Sequence, residues 1–141
     1  MPDKNNEHRL ASWSAFRNTL EISSNPLQET IEYFEKVRLT PIAVDPYSPK
    51  DWPTPWELIQ ENNYCRFVKI LAICYTLQLT DRFSHTNFEI HITKDFTKST
   101  TNYLLHVDNQ VIGFDESTYL HKRSIPNTTL SECIYVMPTI N

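Results

Sequence analysis

An α+β fold is the class this sequence predicts, and three observations predict it. Apolar residues recur at helical spacing through the first half of the chain. One stretch, Tyr64 to about Thr80, is apolar around most of its circumference. From Phe88 onward the period changes to alternation. Helices followed by a meander of strands read as N-terminal helices and a buried central helix packed on an antiparallel sheet of about four strands.

The elements follow in order. Residues 1–9, MPDKNNEHR, read as a flexible tail, and residues 10–141 as a single domain. Leu10, Trp13, Phe16 or Arg17, and Leu20 give a short amphipathic helix, stopped by Ser23-Ser24-Asn25. Asn25 then caps a second helix, with Pro26 at its first position and Leu27, Ile31 and Phe34 as its apolar stripe; it ends near Val37. Pro41 to Pro55 is a proline-dense connector that cannot enter a sheet interior. Thr54, Pro55 and Glu57 spell a capping box and open a third helix. Asn62-Asn63 interrupts the pattern before the central helix, whose Arg66, Lys69, Thr76 and Thr80 form one narrow polar stripe.

In the second half, Phe88, Ile90 and Ile92 point one way and Glu89, His91 and Thr93 the other, as in a half-buried strand. Lys94 to Thr100 is a polar turn. Asn102–Val107 and Gln110–Phe114 make a hairpin across Asp108-Asn109. Residues 116–131 read mostly as loop, and Glu132–Met137 as a last strand stopped by Pro138.

Composition narrows the function classes. The formal charge of −4 argues against broad electrostatic binding to nucleic acid or to an anionic membrane. The local basic residues Lys94, Lys98, Lys122 and Arg123 are too few to reverse that. The central helix is too short and too interrupted to span a bilayer. The polar start, with no apolar run behind it, predicts no secretory leader. Three cysteines without metal-like spacing fit a reducing compartment, and no metal site is expected. With Gly113 as the only glycine, no Gly-rich phosphate loop can be written, and no cofactor is expected.

Two groups of residues could carry function. The first is chemical. Cys65 opens the buried helix, where backbone N–H groups and the helix dipole favour a thiolate. Downstream strands carry His91, His106, Asp108 and Asp115, so a Cys–His–Asp set of Cys65, His106 and Asp115 is one candidate. Gln60, Asn62 or Asn63 would supply the oxyanion donor. Apolar packing of Cys65 is the alternative. The second group is a contact surface, the connector aromatics Tyr47, Trp52 and Trp56, with the N-terminal helix as a second contact candidate. Beside prolines these rings make a rigid platform for a partner protein; the alternative is that the tryptophans lock the connector onto the core.

Residues 64–115, with NYC opening a helix and the hairpin TTNYLLHVDNQVIGFD ending in an acid, resemble a papain-like or transglutaminase-like core. The resemblance implies a thiol hydrolase or acyl-transferase. It places Asp115 on the family's acid and puts Thr100, Thr101 or Asn102 where the histidine belongs. The longer run DPYSPKDWPTPWELIQENNYCRFVKILAICYTLQLTDRF, followed by YLLHVDNQVIGFD, resembles small proteins of tailed myophages that infect cyanobacteria. That resemblance implies a viral protein in the host cytoplasm or the virion. It would be non-catalytic and would work through a phage or host protein, as a virion or assembly component or a host-directed factor, with homo-oligomerisation as a further option.

Overall fold

The computed structural model describes residues 6–41, 44–115 and 117–140. Among them are four α-helices, α1 (Asn6–Leu20), α2 (Pro26–Phe34), α3 (Pro55–Glu61) and α4 (Arg66–Gln78). Five strands follow, β1 (Phe88–Asp95), β2 (Thr100–Val107), β3 (Gln110–Asp115), β4 (Thr118–His121) and β5 (Thr129–Val136). The strands form one antiparallel sheet in the order β4-β3-β2-β1-β5. The fold is α+β.

Helix α3 begins as its residues dictate. The Thr54 hydroxyl accepts from the Glu57 N–H at 3.3 Å, and the Glu57 carboxylate accepts from the Thr54 N–H at 2.9 Å, closing the capping box. Helix α3 ends at Asn62, which takes the left-handed conformation at φ 54°. Helix α2 starts at Pro26 as expected, but Asn25 makes no side-chain cap bond. Its carboxamide oxygen accepts from the Tyr119 hydroxyl instead, tying α2 to β4.

Helix α4 is the centre of the core. Phe67, Leu71, Cys74 and Leu77 are buried, as are Phe88, Ile90, Leu105 and Ile112 of the sheet face beneath it. Thr76 and Thr80 were expected on a polar stripe, and both are buried. Each hydroxyl donates to a carbonyl of α4, Thr76 to Ala72 at 2.7 Å and Thr80, just past the helix end, to Leu77 at 2.7 Å. Thr76 also accepts from the Trp13 indole N–H at 2.9 Å. A satisfied hydroxyl can be buried at modest cost.

Several boundaries differ from expectation: α2 ends at Phe34, and β1 runs to Asp95 and β2 starts at Thr100, which shortens the turn expected over Lys94–Thr100. Helix α1 begins at Asn6, so residues 6–9 are helical; residues 1–5 lie outside the described part. The Arg9 guanidinium explains the extra turn, because it donates to the carbonyls of Ile59 and Gln60 at the end of α3. The sheet has a fifth strand. β4 is short and lies in the stretch expected to be loop, and β5 starts at Thr129 rather than Glu132.

Candidate protein-contact groove

Residues 44–55 of the connector bend back on themselves; residues 42–43 lie outside the described part. The Asp45 carboxylate accepts from the Tyr47 N–H at 2.9 Å, an Asx turn, and the Asp45 carbonyl accepts from the Trp52 indole N–H at 3.1 Å. Trp52 then packs on Phe67 and Tyr135, with ring centroids 5.0 and 5.2 Å away. It pins the connector to the core. Tyr47 and Trp56 stay 50% and 47% exposed. Trp56 stands edge-on to Trp13 at 5.5 Å, while Tyr47 reaches toward Glu132 of β5. The three aromatics therefore do not form one patch.

Trp52 has a second role, as the wall of a groove. Connector residues Trp52, Pro53 and Pro55 face Tyr135, Met137 and Ile140 across a cavity of about 500 Å³. The Tyr75 hydroxyl donates to the Pro53 carbonyl at 2.8 Å, and the Gln78 amide to the Pro138 carbonyl at 3.0 Å. These two bonds fix the groove's walls to α4. Ile134 and Val136 also line it and are 53% and 72% exposed. Sequence reasoning missed this half of the site. The signal is the apolar residues on both faces of the last strand, Cys133 and Tyr135 on one and Ile134 and Val136 on the other.

The residues proposed for thiol chemistry are placed separately. Cys65 is the N-cap of α4 rather than part of its first turn, and its side chain makes no cap bond. It is half-buried and lines a shallow cavity of about 330 Å³ with Thr40, Pro46, Phe67 and Tyr103, among others; no imidazole or carboxylate lines that cavity. Asp115 lines a different cleft, beside Arg66 and Lys69, and its carboxylate accepts from the Ser117 N–H and hydroxyl. Those bonds hold its carboxyl below the usual range. His106 follows core-facing Leu105 on β2, so its side chain lies on the sheet face away from α4. The sheet stands between Cys65 and His106. Cys74 is fully buried, and burial pushes its thiol up. Iodoacetamide is expected to label Cys65 and Cys133 in the native protein and Cys74 only after unfolding; mass mapping of the labelled sites checks this.

His106 belongs to another cluster. Its ring stacks on His91 at 3.7 Å. One nitrogen of His91, Nε2, meets the Glu89 carboxylate at 2.9 Å, and the other, Nδ1, meets the Ser131 hydroxyl at 2.7 Å. A carboxylate only accepts, so Nε2 carries a hydrogen toward Glu89, and the Ser131 hydroxyl, which can donate or accept, fills the contact at Nδ1. Both nitrogens of His91 are thus satisfied, which is how a residue only 7% exposed can be polar. Forty residues separate Ser131 from His91, so no local motif could reveal the pair.

Burial, with a contribution from His91, pushes the His106 imidazole down to about 4 from its ordinary 6.5; Glu89 opposes this and Lys122 adds to it. Between those two values the unfolded chain binds the proton and the folded chain does not. Stability should fall as pH drops through that window, by about 1 kcal/mol once solvent screening of a half-exposed ring is allowed for. Glu89, whose carboxyl His91 holds down, adds its own loss only at lower pH. Thermal melts from pH 7 to pH 5, which cross about three-fifths of that window, should show Tm falling by roughly 2 °C. His106→Phe, which keeps the stacked ring, should flatten that slope.

Among the described residues, no group of three or more His, Cys, Asp or Glu is arranged to hold a metal ion, and no helix is long and apolar enough to cross a membrane. Comparison with protein-family models and with curated protein sequences finds no match.

Proposed function

We propose that this chain is a non-catalytic protein that works through protein–protein contacts. The phage resemblance of its sequence supports a role as a virion or assembly component, or as a factor aimed at a host protein in the host cytoplasm. One observation carries the contact reading: Tyr47, Trp56, Ile134 and Val136 leave 47–72% of their surface exposed around the connector and β5. Scattered apolar residues are ordinary, but Ile134 and Val136 lie at an apolar groove whose walls are hydrogen-bonded in place. The thiol-hydrolase reading draws no support from a Cys65 whose cavity holds no imidazole.

The test is capture by the tagged chain from infected host cells and from purified particles, with a Tyr47→Ser, Trp56→Ser, Val136→Thr variant as control. A defined protein retained by the native chain and lost by the variant is the expected result. Equal recovery on both, from both sources, would count against the reading.

A further inference from the structure

β5 is an edge strand, and its hydrogen-bonding phase can be read. The Met137 N–H donates to the Phe88 carbonyl at 2.9 Å, and residues 134 and 136 pair with His91 and Glu89 in the same register. In an antiparallel ladder, bonded and non-bonded pairs alternate. Met137, Tyr135 and Cys133 therefore turn their main-chain groups toward β1, and Ile134 and Val136 turn theirs to the outside. Among the described residues nothing bonds those outward groups.

β5 itself carries apolar side chains on both faces of this edge, with His91 and Glu89 of β1 beside Ile134 and Val136 on one of them. Ile134 and Val136 flank it on one side, and the groove of Trp52, Tyr75, Met137 and Ile140 flanks it on the other. Edge strands are usually blunted by charge, proline or bulges. Here those devices bracket the opening rather than cover it. The β-bulge at Glu132 lies before it, and Pro138, which has no N–H, lies after it.

An extended chain is the occupant that satisfies outward N–H and C=O groups while placing alternate side chains on the two faces of that edge. A second copy of β5 is a poor fit. Two-fold pairing of Ile134 with Val136 sets Tyr135 opposite its counterpart, and Tyr135 is already packed on Trp52 at 5.2 Å. Neither copy could then fill the other's groove.

We propose that the β5 edge receives an extended, uncharged, proline-free segment of a partner protein as a sixth strand, with alternate apolar side chains seated in the Trp52 groove. This rests on the protein-contact reading above and names the partner's chemistry, a run of about five aliphatic or β-branched residues.

The experiment is selection of a displayed random dodecapeptide library against the full chain, followed by synthesis of the enriched peptides. Enriched sequences should share such a run and should shift the tryptophan emission of the chain on binding, a shift that Trp56→Phe leaves in place. N-methylation of alternate amides, which removes donors and leaves side chains intact, should weaken binding at least tenfold. Ile134→Lys should do the same. Val136→Pro removes an outward N–H that β1 does not use, and should also weaken binding tenfold; if that variant fails to fold, Ile134→Lys carries the test. Lack of enrichment, or binding indifferent to N-methylation and to Ile134→Lys, overturns the proposal. Peptides that depend on Tyr47 or Trp56 but not on the edge overturn it while leaving the protein-contact reading in place. A dimer of the native chain that Ile134→Lys dissolves would overturn it in favour of self-pairing.

Discussion

Gly113→Ala should lower the stability of the fold by about 4 kcal/mol and its Tm by roughly 12 °C. Two independent causes add. Gly113 sits at φ 111°, a conformation that L side chains rarely adopt. A Cβ built there would lie 2.5 Å from the Tyr103 carbonyl oxygen and 3.0 Å from Cδ1 of Ile70. The second contact is with the end of a side chain and can relax. The first is with backbone in the middle of β2 and cannot relax without moving the strand. Ile70→Val in the Gly113→Ala background should therefore recover only a small part of the loss. Chemical denaturation of the two variants measures both effects. A cost below about 1 kcal/mol for Gly113→Ala would mean that β3 does not approach β2 this closely.

Gly113 also shows what the sequence could and could not convey. Its uniqueness could be counted, and it excludes phosphate loops. Its necessity could not be seen, because it depends on where β3 crosses β2 and α4. The hairpin turn was legible, since Asp108-Asn109 offers a residue that tolerates positive φ, and Asp108 takes φ 52°. The capping box at Thr54 was legible because all its partners lie within four residues. β5 was half legible. The bulge at Glu132 shifts the register between Ile92 and Thr93, so Thr129–Ser131 and Cys133–Val136 do not share one alternation, and the first part reads as loop. The candidate site was legible in the same divided way. Trp52 and its prolines announce a rigid connector, but the groove needs β5 and the C-terminal segment as its far wall. The placement of Cys65 and His106 on opposite sides of a sheet turns on register, which one residue of slip would reverse.

The second large effect falls on Trp13. It is 1% exposed, and Trp13→Ala should cost about 4 kcal/mol. The indole fills space between α1 and α4, donates to Thr76, and carries the Arg17 guanidinium 4.4 Å from its ring. Trp13→Phe should cost less, about 2 kcal/mol, because most of the ring volume remains and one hydrogen bond is lost. Thr76→Val leaves the indole N–H buried without an acceptor; the double variant Trp13→Phe, Thr76→Val removes that donor too, so its cost should fall below the sum of the two single costs. Trp13 cannot touch a partner. It does hold Trp56 edge-on at 5.5 Å, and Trp56 is one of the exposed aromatics on which the contact reading depends. Trp13→Ala should therefore weaken capture of the partner through Trp56, whereas Trp13→Phe should keep it, since a phenyl ring can still brace the indole. If instead capture survives Trp13→Ala at a temperature where the variant is folded, Trp56 does not need its brace. The contact energy would then reside at the β5 edge and the Trp52 groove, which α1 does not support.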